Sequence, residues 1–476
     1  MLGLFGILNL GTRSLQAQQV GVETAGQNLA NVNNPAYARQ RVNLQTTPTI
    51  NSAIGQQGTG AEVVAIQQIR DMLLDGQIRD EASVGGYWEA QQGGLQSTQT
   101  GLNEFLDQSA SSINGAADAG SAAGAQGLST QLTQLFNAFQ SVAANPTSLP
   151  ERQALVNQAQ TLAGSFNQID TRLSAIHDTL NTSVGNDVTS ANQLLSEVAD
   201  LNKSIAEAEL PGRGTANDLR DLREQKLESL AQLVNIQTGT AADGSINVTI
   251  GGQTLVSGRQ VLDSLQTYDA GGGQLLVRTA TGGSPLTLTG GSIQGNIDAR
   301  DGALQTLRTG LDTLAGTLVT QVNTLYRSGY SLSGTTGADF FTGTDAASIQ
   351  VNAALANDPA QVQAAGSAGA ASDNAVALAL AQLARQPNAA LGNQTFKDAY
   401  SQLVVKVGTA LSSANSQLAD HNAISAMLLN RRDSVSGVSL EEEMSSLLSF
   451  QKAYQASAKI ITTVDQMLET VLSLKS

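Results

Sequence analysis

The residues able to do chemistry in this sequence are few and scattered. His177 and His421 are the only imidazoles among 476 residues. Neither has acidic or cysteine neighbours at the spacing a zinc site uses, so each reads as a surface or boundary histidine. Cysteine is absent, which excludes disulfides, thiol catalysis and cysteine-ligated metals and suits a protein that passes through an oxidising place. Gly55–Gly60 and the other glycine clusters match neither G-x-G-x-x-G nor G-x-x-x-x-G-K-[ST], which argues against a phosphate cradle. Glu441, Glu442 and Glu443 could gather a cation, but at a helix start their charge complements the dipole. Asp218, Asp221, Glu224 and Glu228, interleaved with Arg220, Arg223 and Lys226, read as a solvated helix face with ion pairs. Asn247-Val248-Thr249 matches a glycosylation sequon. No catalytic residue, metal or cofactor is assigned. A wall-degrading hydrolase would need two carboxylates across a cleft, a pattern that leaves little trace in sequence, so a zymogram is the discriminating test.

Composition narrows the class further. The length suggests roughly three domains at about 150 residues each. Apolar residues make up 41% but aromatics only 4%, with 47 glycines, so helices should pack through small side chains. The formal charge is −15, from 25 basic and 40 acidic residues, which argues against a nucleic-acid partner. No run of about 20 apolar residues is present, so no membrane insertion is expected. The start, MLGLFGILNLGTRS, lacks a basic n-region and a small-x-small cleavage site; export, if it occurs, would not use a cleaved Sec signal.

The elements that must carry the function lie at the two ends. Leu440, Leu447, Tyr454, Ile461 and Leu468 are seven apart, with Met444, Ala458 and Leu472 in companion positions and Gln451 and Asp465 as polar breaks. A 3.5-residue spacing marks a coiled-coil seam. Ser439 and Glu442 form a capping box at its start, and the helix should run roughly 50 Å at about 1.5 Å per residue. Leu8, Leu15, Val22 and Leu29 repeat the pattern near the N-terminus, with Leu4 and Ala25 beside them and Gly11 and Gln18 as weak links. Either helix alone would suit an ordinary bundle. Together they predict one coiled coil that brings the chain ends together, with residues 34–438 hanging from it as an insertion. Lone heptad helices lack partners in water, so both ends, to about Asn33 and from about Leu440, are expected to be mobile in the free chain.

Between the ends the periodicity changes twice. The first helix stops at Asn31-Val32-Asn33-Asn34-Pro35, where Asn tolerates a left-handed cap and Pro35 disfavours helix at Asn34; residues 36–44 read as extended. A short apolar segment at 61–69 leads into a helix from Met72 to Leu106, weakened by Gly85-Gly86 and Gly93-Gly94 at about 1 kcal/mol each. Ser109 to Gly127 reads as a flexible surface loop. Helices follow at 128–144, from Pro150 to about Glu209, and at 216–233, with Pro211-Gly212-Arg213-Gly214 as a stop. Period-two alternation over 236–288 predicts an antiparallel β-domain, which 329–369 could complete. Leu304, Leu307, Leu311, Leu314 and Leu318 line a helix within 297–326, and further helices span 373–385 and 396–432. The expected fold is mainly α with an inserted β-domain. Its divisions are a terminal coiled coil (1–60 and 439–476), a helical rod (61–235, 297–328 and 370–438) and an outer β-domain (236–296 and 329–369).

Two stretches carry a family resemblance. Leu29-Ala30-Asn31-Val32-Asn33-Asn34-Pro35-Ala36-Tyr37-Ala38-Arg39-Gln40 closely resembles the "ANVNTPGYSRQ" signature of bacterial flagellar axial proteins, the rod, hook and hook-associated group, with Ala36 where glycine is usual. Residues 436–443 and 451–461 resemble that family's "GVNLDEE…QQAYQASAKVI" ending. Rod proteins are shorter and hook protein is mostly β between these motifs, whereas hook–filament junction members insert a helical domain bearing a β-domain, as here. The resemblance implies a structural subunit, exported unfolded through the flagellar type III apparatus, forming a ring of identical copies between hook and filament. It implies assembly through Leu8, Leu15, Val22, Leu29, Asn31, Asn33, Pro35, Tyr37, Leu440, Leu447, Tyr454, Ile461 and Leu468. Implied partners are hook protein, a second junction protein on the filament side and a cytoplasmic export chaperone on the C-terminal helix. Hook or rod protein is the alternative within the family, and circular dichroism would separate a strand-rich hook protein from this chain.

Overall fold

The computed structural model describes residues 3–52, 55–102, 127–210 and 214–474. Helix α1 (Leu4–Ala30) is followed by four short strands, β1 (Gln40–Thr46), β2 (Ile50–Ser52), β3 (Gly55–Gln57) and β4 (Ala61–Gln68). They pair antiparallel as β1 with β4 and β2 with β3, a long hairpin folded back on itself. Next come α2 (Met72–Gly101), α3 (Leu128–Ala144), α4 (Leu149–Ala208) and α5 (Asn217–Leu233). The loop expected at Ser109 to Gly127 and the stop at Pro211-Gly212-Arg213 fall outside the described residues, save for Gly127.

Helix α4 organises the body. Ser148 caps it by accepting from Glu151 N at 3.4 Å, and Pro150 sits in the first turn, where its missing N–H costs nothing. Its 60 residues extend about 90 Å and join two apolar cores. Leu155, Leu162, Phe166 and Leu173 pack with Phe136 and Phe139 of α3 in the first. Val184, Val188, Leu195 and Val198 belong to the second, with Leu227 and Leu230 of α5. Burying each such side chain contributes about 1.5–3 kcal/mol.

The β-region packs onto the second core rather than enclosing one of its own. Strands β5 (Gln237–Thr240), β6 (Ile246–Ile250), β7 (Gln253–Ser257) and β8 (Gln260–Val261) form an antiparallel meander, and β9 (Leu265–Asp269) pairs with β10 (Leu275–Thr279). Val248, Ile250, Val256 and Val277 point at α4 and α5. Helix α6 (Gly291–Ala299) continues through a π-helical turn at Arg300–Leu304 into α7 (Gln305–Tyr326), so the helix expected over 297–326 is interrupted near its start. The buried Arg300 explains the place: its guanidinium reaches Asn181 Oδ1 at 2.5 Å, the Leu275 carbonyl at 2.8 Å and Asp301 at 2.7 Å.

Residues 329–369 do not complete the β-domain. The pair β11 (Phe341–Thr342) and β12 (Gln350–Val351) and the short helix α8 (Ala353–Asn357) place Phe340, Phe341, Ile349 and Leu355 in the first core, against α3 and α7. Large aromatic side chains followed the nearest deep apolar surface, which strand periodicity alone does not locate. Helix α9 (Ala375–Gln382) closes that core, and α10 (Phe396–Ser436) and α11 (Leu440–Ser473) complete the chain. The fold is mainly α with an inserted β-region, as expected.

The glycine pairs of α2 do not break it. A Cβ at Gly86 would overlap the Gln232 carbonyl of α5, and one at Gly94 would stand 2.6 Å from the Ala299 Cβ. These glycines allow close helix contact, and the contact repays their poor propensity.

Candidate functional site: the terminal helices and the joint beneath them

Helices α1 and α11 lie side by side and antiparallel. Three levels fix the register. A Cβ on Gly11 would stand 2.9 Å from Ile461 Cγ1, and one on Gly21 would stand 2.6 Å from the Phe450 ring. Between them Ser14 Oγ and Ser457 Oγ are 2.9 Å apart. Gly11, Ala17, Gly21 and Ala25 are buried, so small residues make the α1 side of the seam. Gly11 is therefore a contact position and not a weak link.

The expected register on α11 needs a correction. The companion residues lie three after Leu447, Tyr454 and Ile461, not four, so Phe450, Ser457 and Val464 face α1 while Met444 and Leu472 are 42% and 70% exposed. A pattern search weights large side chains, and this seam contains serine and glycine. Leu447, Ile461 and Leu468 are half-buried, as are Leu8, Leu15, Val22 and Leu29 on the flank of α1. Leu440 and Tyr454 are exposed, as are Phe5, Leu448, Met467 and Val471. The pair thus satisfies one face and keeps apolar surface on others.

Under the pair, both signature motifs converge on one buried amide. Asn28 Oδ1 accepts from Tyr37 OH at 2.8 Å and Gln40 N at 2.9 Å, while its Nδ2 donates to Gln40 O at 2.8 Å and Glu443 Oε2 at 3.0 Å. Glu443 also accepts from Arg39 Nε at 2.7 Å, and Arg39 Nη1 donates to Glu442 at 2.7 Å. Glu442 and Glu443 are therefore the C-terminal counterparts of the signature arginine, beyond their place at the helix start, where Glu442 N donates to Ser439 Oγ at 3.5 Å. Burial beside Asp218, Asp221 and Glu443 pushes the Tyr37 phenol well above its usual range.

The other signature residues shape the turn. Asn31 closes α1 at φ −104°, outside the left-handed region expected for it, with Nδ2 donating to Gln27 O at 3.0 Å. Asn34 Oδ1 accepts from Ala36 N at 3.2 Å. Among the described residues Asn393 is the only non-glycine at positive φ, so alanine fits at position 36. Asn33 and Pro35 are exposed.

The charged face of α5 is solvated only in part, with Asp218 exposed. Asp221, Arg223 and Glu224 are buried. Asp221 accepts from Ala38 N at 3.1 Å and from Gln68, Glu224 pairs with Arg79, and Glu228 pairs with Arg432 at 2.5 Å. A polar helix face reads the same in sequence whether water or other polar segments cover it. Burial raises Asp75 and Asp221 to about 6, against the pull of Arg70, and raises Glu228. Carboxylate oxygens of Asp75, Glu224 and Glu228 lie within 4.8 Å of one another. Arg70, Arg79 and Arg432 already surround them, so the cluster is an ion-pair network. The two histidines lie apart: His421 Nδ1 of α10 meets Glu81 Oε1 of α2 at 2.6 Å, and His177 Nδ1 lies 3.3 Å from the adjacent Asp178 within α4. Among the described residues, no helix is long and apolar enough to cross a membrane.

Comparison with known proteins separates the ends from the middle. Residues 432–474 match the family described as flagellar basal body rod FlgEFG protein C-terminal. A 40-residue stretch is 55% identical to flagellar hook protein FlgE of Caulobacter vibrioides, covering 8% of this chain and 7% of that one. The C-terminal segment is thus similar to that of flagellar axial proteins. Residues 118–341 match the flagellar hook-associated protein FlgK helical domain. Flagellar hook-associated protein 1 of Bacillus subtilis is 28% identical, with 99% of each chain covered, and that of Escherichia coli is 23% identical, over 98% of this chain and all of the other. The flagellar hook junction protein FlgK from Burkholderia pseudomallei shares the fold with a TM-score of 0.62 at 18% identity, over 76% of this chain and all of that one. Over nearly its whole length the chain is similar to flagellar hook-associated protein 1.

Proposed function

We propose that this protein is a structural subunit of the hook–filament junction of the bacterial flagellum, assembling as a ring of identical copies through α1 and α11. The observation that carries this reading is the terminal pair itself. Its seam is closed by small residues within one chain, yet Phe5, Met444, Leu448, Met467 and Leu472 remain exposed. Exposed apolar side chains on a narrow helix pair need further copies to cover them. Hook protein on one side and a second junction protein on the other are the partners this placement requires, and an export chaperone would cover α11 before assembly.

No enzymatic role is assigned. Asp187, in a cleft of about 730 Å³ that also holds Glu81 and Glu89, accepts from Ser292 at 2.7 Å and Asn296 at 3.3 Å, and Glu81 is paired with His421. Asp187 and Glu81 are engaged in holding helices together. The deciding experiment is immunogold labelling of isolated hook–basal bodies with attached filaments. Label confined to the hook–filament boundary is expected; label along the hook would favour a hook protein. A clear zone on a peptidoglycan zymogram would overturn the non-enzymatic assignment.

A further inference from the structure

Helix α10 changes character halfway along. Its first half buries Tyr400, Val404 and Val407 in the first core and Leu411 against Leu95 of α2. From Asn415 to Arg431 no residue is buried. Over that stretch α2 holds it by polar contacts, Gln92 Nε2 donating to Asn415 Oδ1 at 2.7 Å and His421 Nδ1 meeting Glu81 Oε1 at 2.6 Å. Away from α2, Ile424 and Met427 stand 40% and 62% exposed. A helix draws most of its stability from packing an apolar face, and here that face has no cover within one copy.

The uncovered face carries a symmetric pattern. Asp420, Ile424, Met427 and Arg431, all exposed, follow one another at steps of four, three and four. Those steps keep them on one side of the helix at the spacing of a coiled-coil seam. Among the described residues, neither Asp420 nor Arg431 has a side-chain hydrogen bond or an ion pair. They stand about 16 Å apart along the helix, too far to meet within one copy. Reversing the stripe end for end keeps its spacing and exchanges acid for base. A second α10 laid antiparallel therefore sets Asp420 against Arg431 at both ends, with Ile424 against Met427 twice between them. The complement of this stripe is the stripe itself.

We propose that this stripe is a two-fold contact surface whose partner is a second copy of the same chain, packed antiparallel along α10. The charges choose the orientation: parallel copies in register would set Asp420 beside Asp420 and Arg431 beside Arg431. Only two to three turns meet, less than the roughly 1,000 Å² of a stable interface, so the pair forms at high concentration and separates on dilution. This contact is distinct from the ring proposed above, whose copies are related by rotation about one axis and run parallel. It belongs to the free chain.

The lack of native cysteine makes the test direct. Ser412→Cys, at an exposed position of α10, carries one spin label per copy in the full chain, and the distance between copies is measured at about 0.3 mM protein. Twice the offset of Ser412 from the midpoint of the stripe gives about 40 Å in the antiparallel pair, against about 10 Å between parallel helices. Asp420→Arg and Arg431→Asp, each introduced alone, bring like charges together at both ends and should weaken pairing roughly tenfold. A mixture of those two variants restores opposite charges at both ends and should pair as the unsubstituted stripe does, as should one chain carrying both changes. No distance between copies in the unsubstituted stripe, a distance near that of parallel helices, or single variants that pair as well as their mixture would overturn the proposal.

Discussion

The side-chain amide of Asn28 donates to the carboxylate of Glu443 at 3.0 Å across 415 positions of sequence. This bond joins the N-terminal signature to the C-terminal one, and both groups are buried. Asn28→Ala removes four hydrogen bonds and strands Gln40 N and Tyr37 OH. We expect it to weaken the terminal unit by about 2–3 kcal/mol, seen as roughly 30- to 150-fold faster exchange of the Gln40 amide. The body, whose single tryptophan is Trp88, should melt as before by fluorescence. Asn28→Asp should be worse, because it sets a second carboxylate against Glu443.

Ile461 faces Gly11, whereas Lys452 is exposed. Ile461→Asp places an unpaired charge in the seam, so cells should secrete filament subunits without building filaments, while Lys452→Asp has a much smaller effect. Export of each variant is checked first. An exported Ile461→Asp protein that still supports filament growth would show that the seam is dispensable for assembly. Gly21→Val tests the same contact by volume alone, against the Phe450 ring, and should give the same loss.

Two adjacent glycines of α2 should respond in opposite directions. Gly86→Ala must displace the Gln232 carbonyl of α5, whereas a Cβ at Gly85 meets nothing within 4 Å. Thermal melts should show Gly86→Ala destabilised by about 1–3 kcal/mol and Gly85→Ala stabilised by about 0.5–1 kcal/mol.

The seam between α1 and α11 buries mostly glycine, alanine and serine, and so gains little apolar stabilisation compared with the two cores of the body. Local stability should be low there. Limited proteolysis of the dilute chain is expected to trim both ends and leave a resistant centre. Uncut ends under conditions that cleave an unfolded control would contradict this.

The heptads at the two ends were legible because Leu, Ile and Tyr mark their spacing, and the long helix after Pro150 because its apolar positions never lose step. The seam register was not legible, since Gly11, Gly21, Ser14 and Ser457 carry no hydrophobic signal. The joint resembles a solvated face in sequence because Asp221 and Glu224 look alike in water or beneath Arg70 and Arg79. The signature stretch was recognised as a motif, but Asn28 lies just outside it, and only the fold shows that it completes the bonding of Tyr37 and Gln40. Phe340 and Phe341 lie in the first core rather than with the strands, which periodicity cannot show because it says which face is buried, not against what.

Helix α4 passes from one apolar core into the other between Leu180 and Val184 without a break. The backbone hydrogen bonds at that crossing belong to both cores at once, so neither can melt fully without fraying the helix under its neighbour. Heating should therefore dissolve the body in a single cooperative transition. Proline in place of Ser183, a half-buried residue at the crossing, would split that transition in two by removing the shared turn.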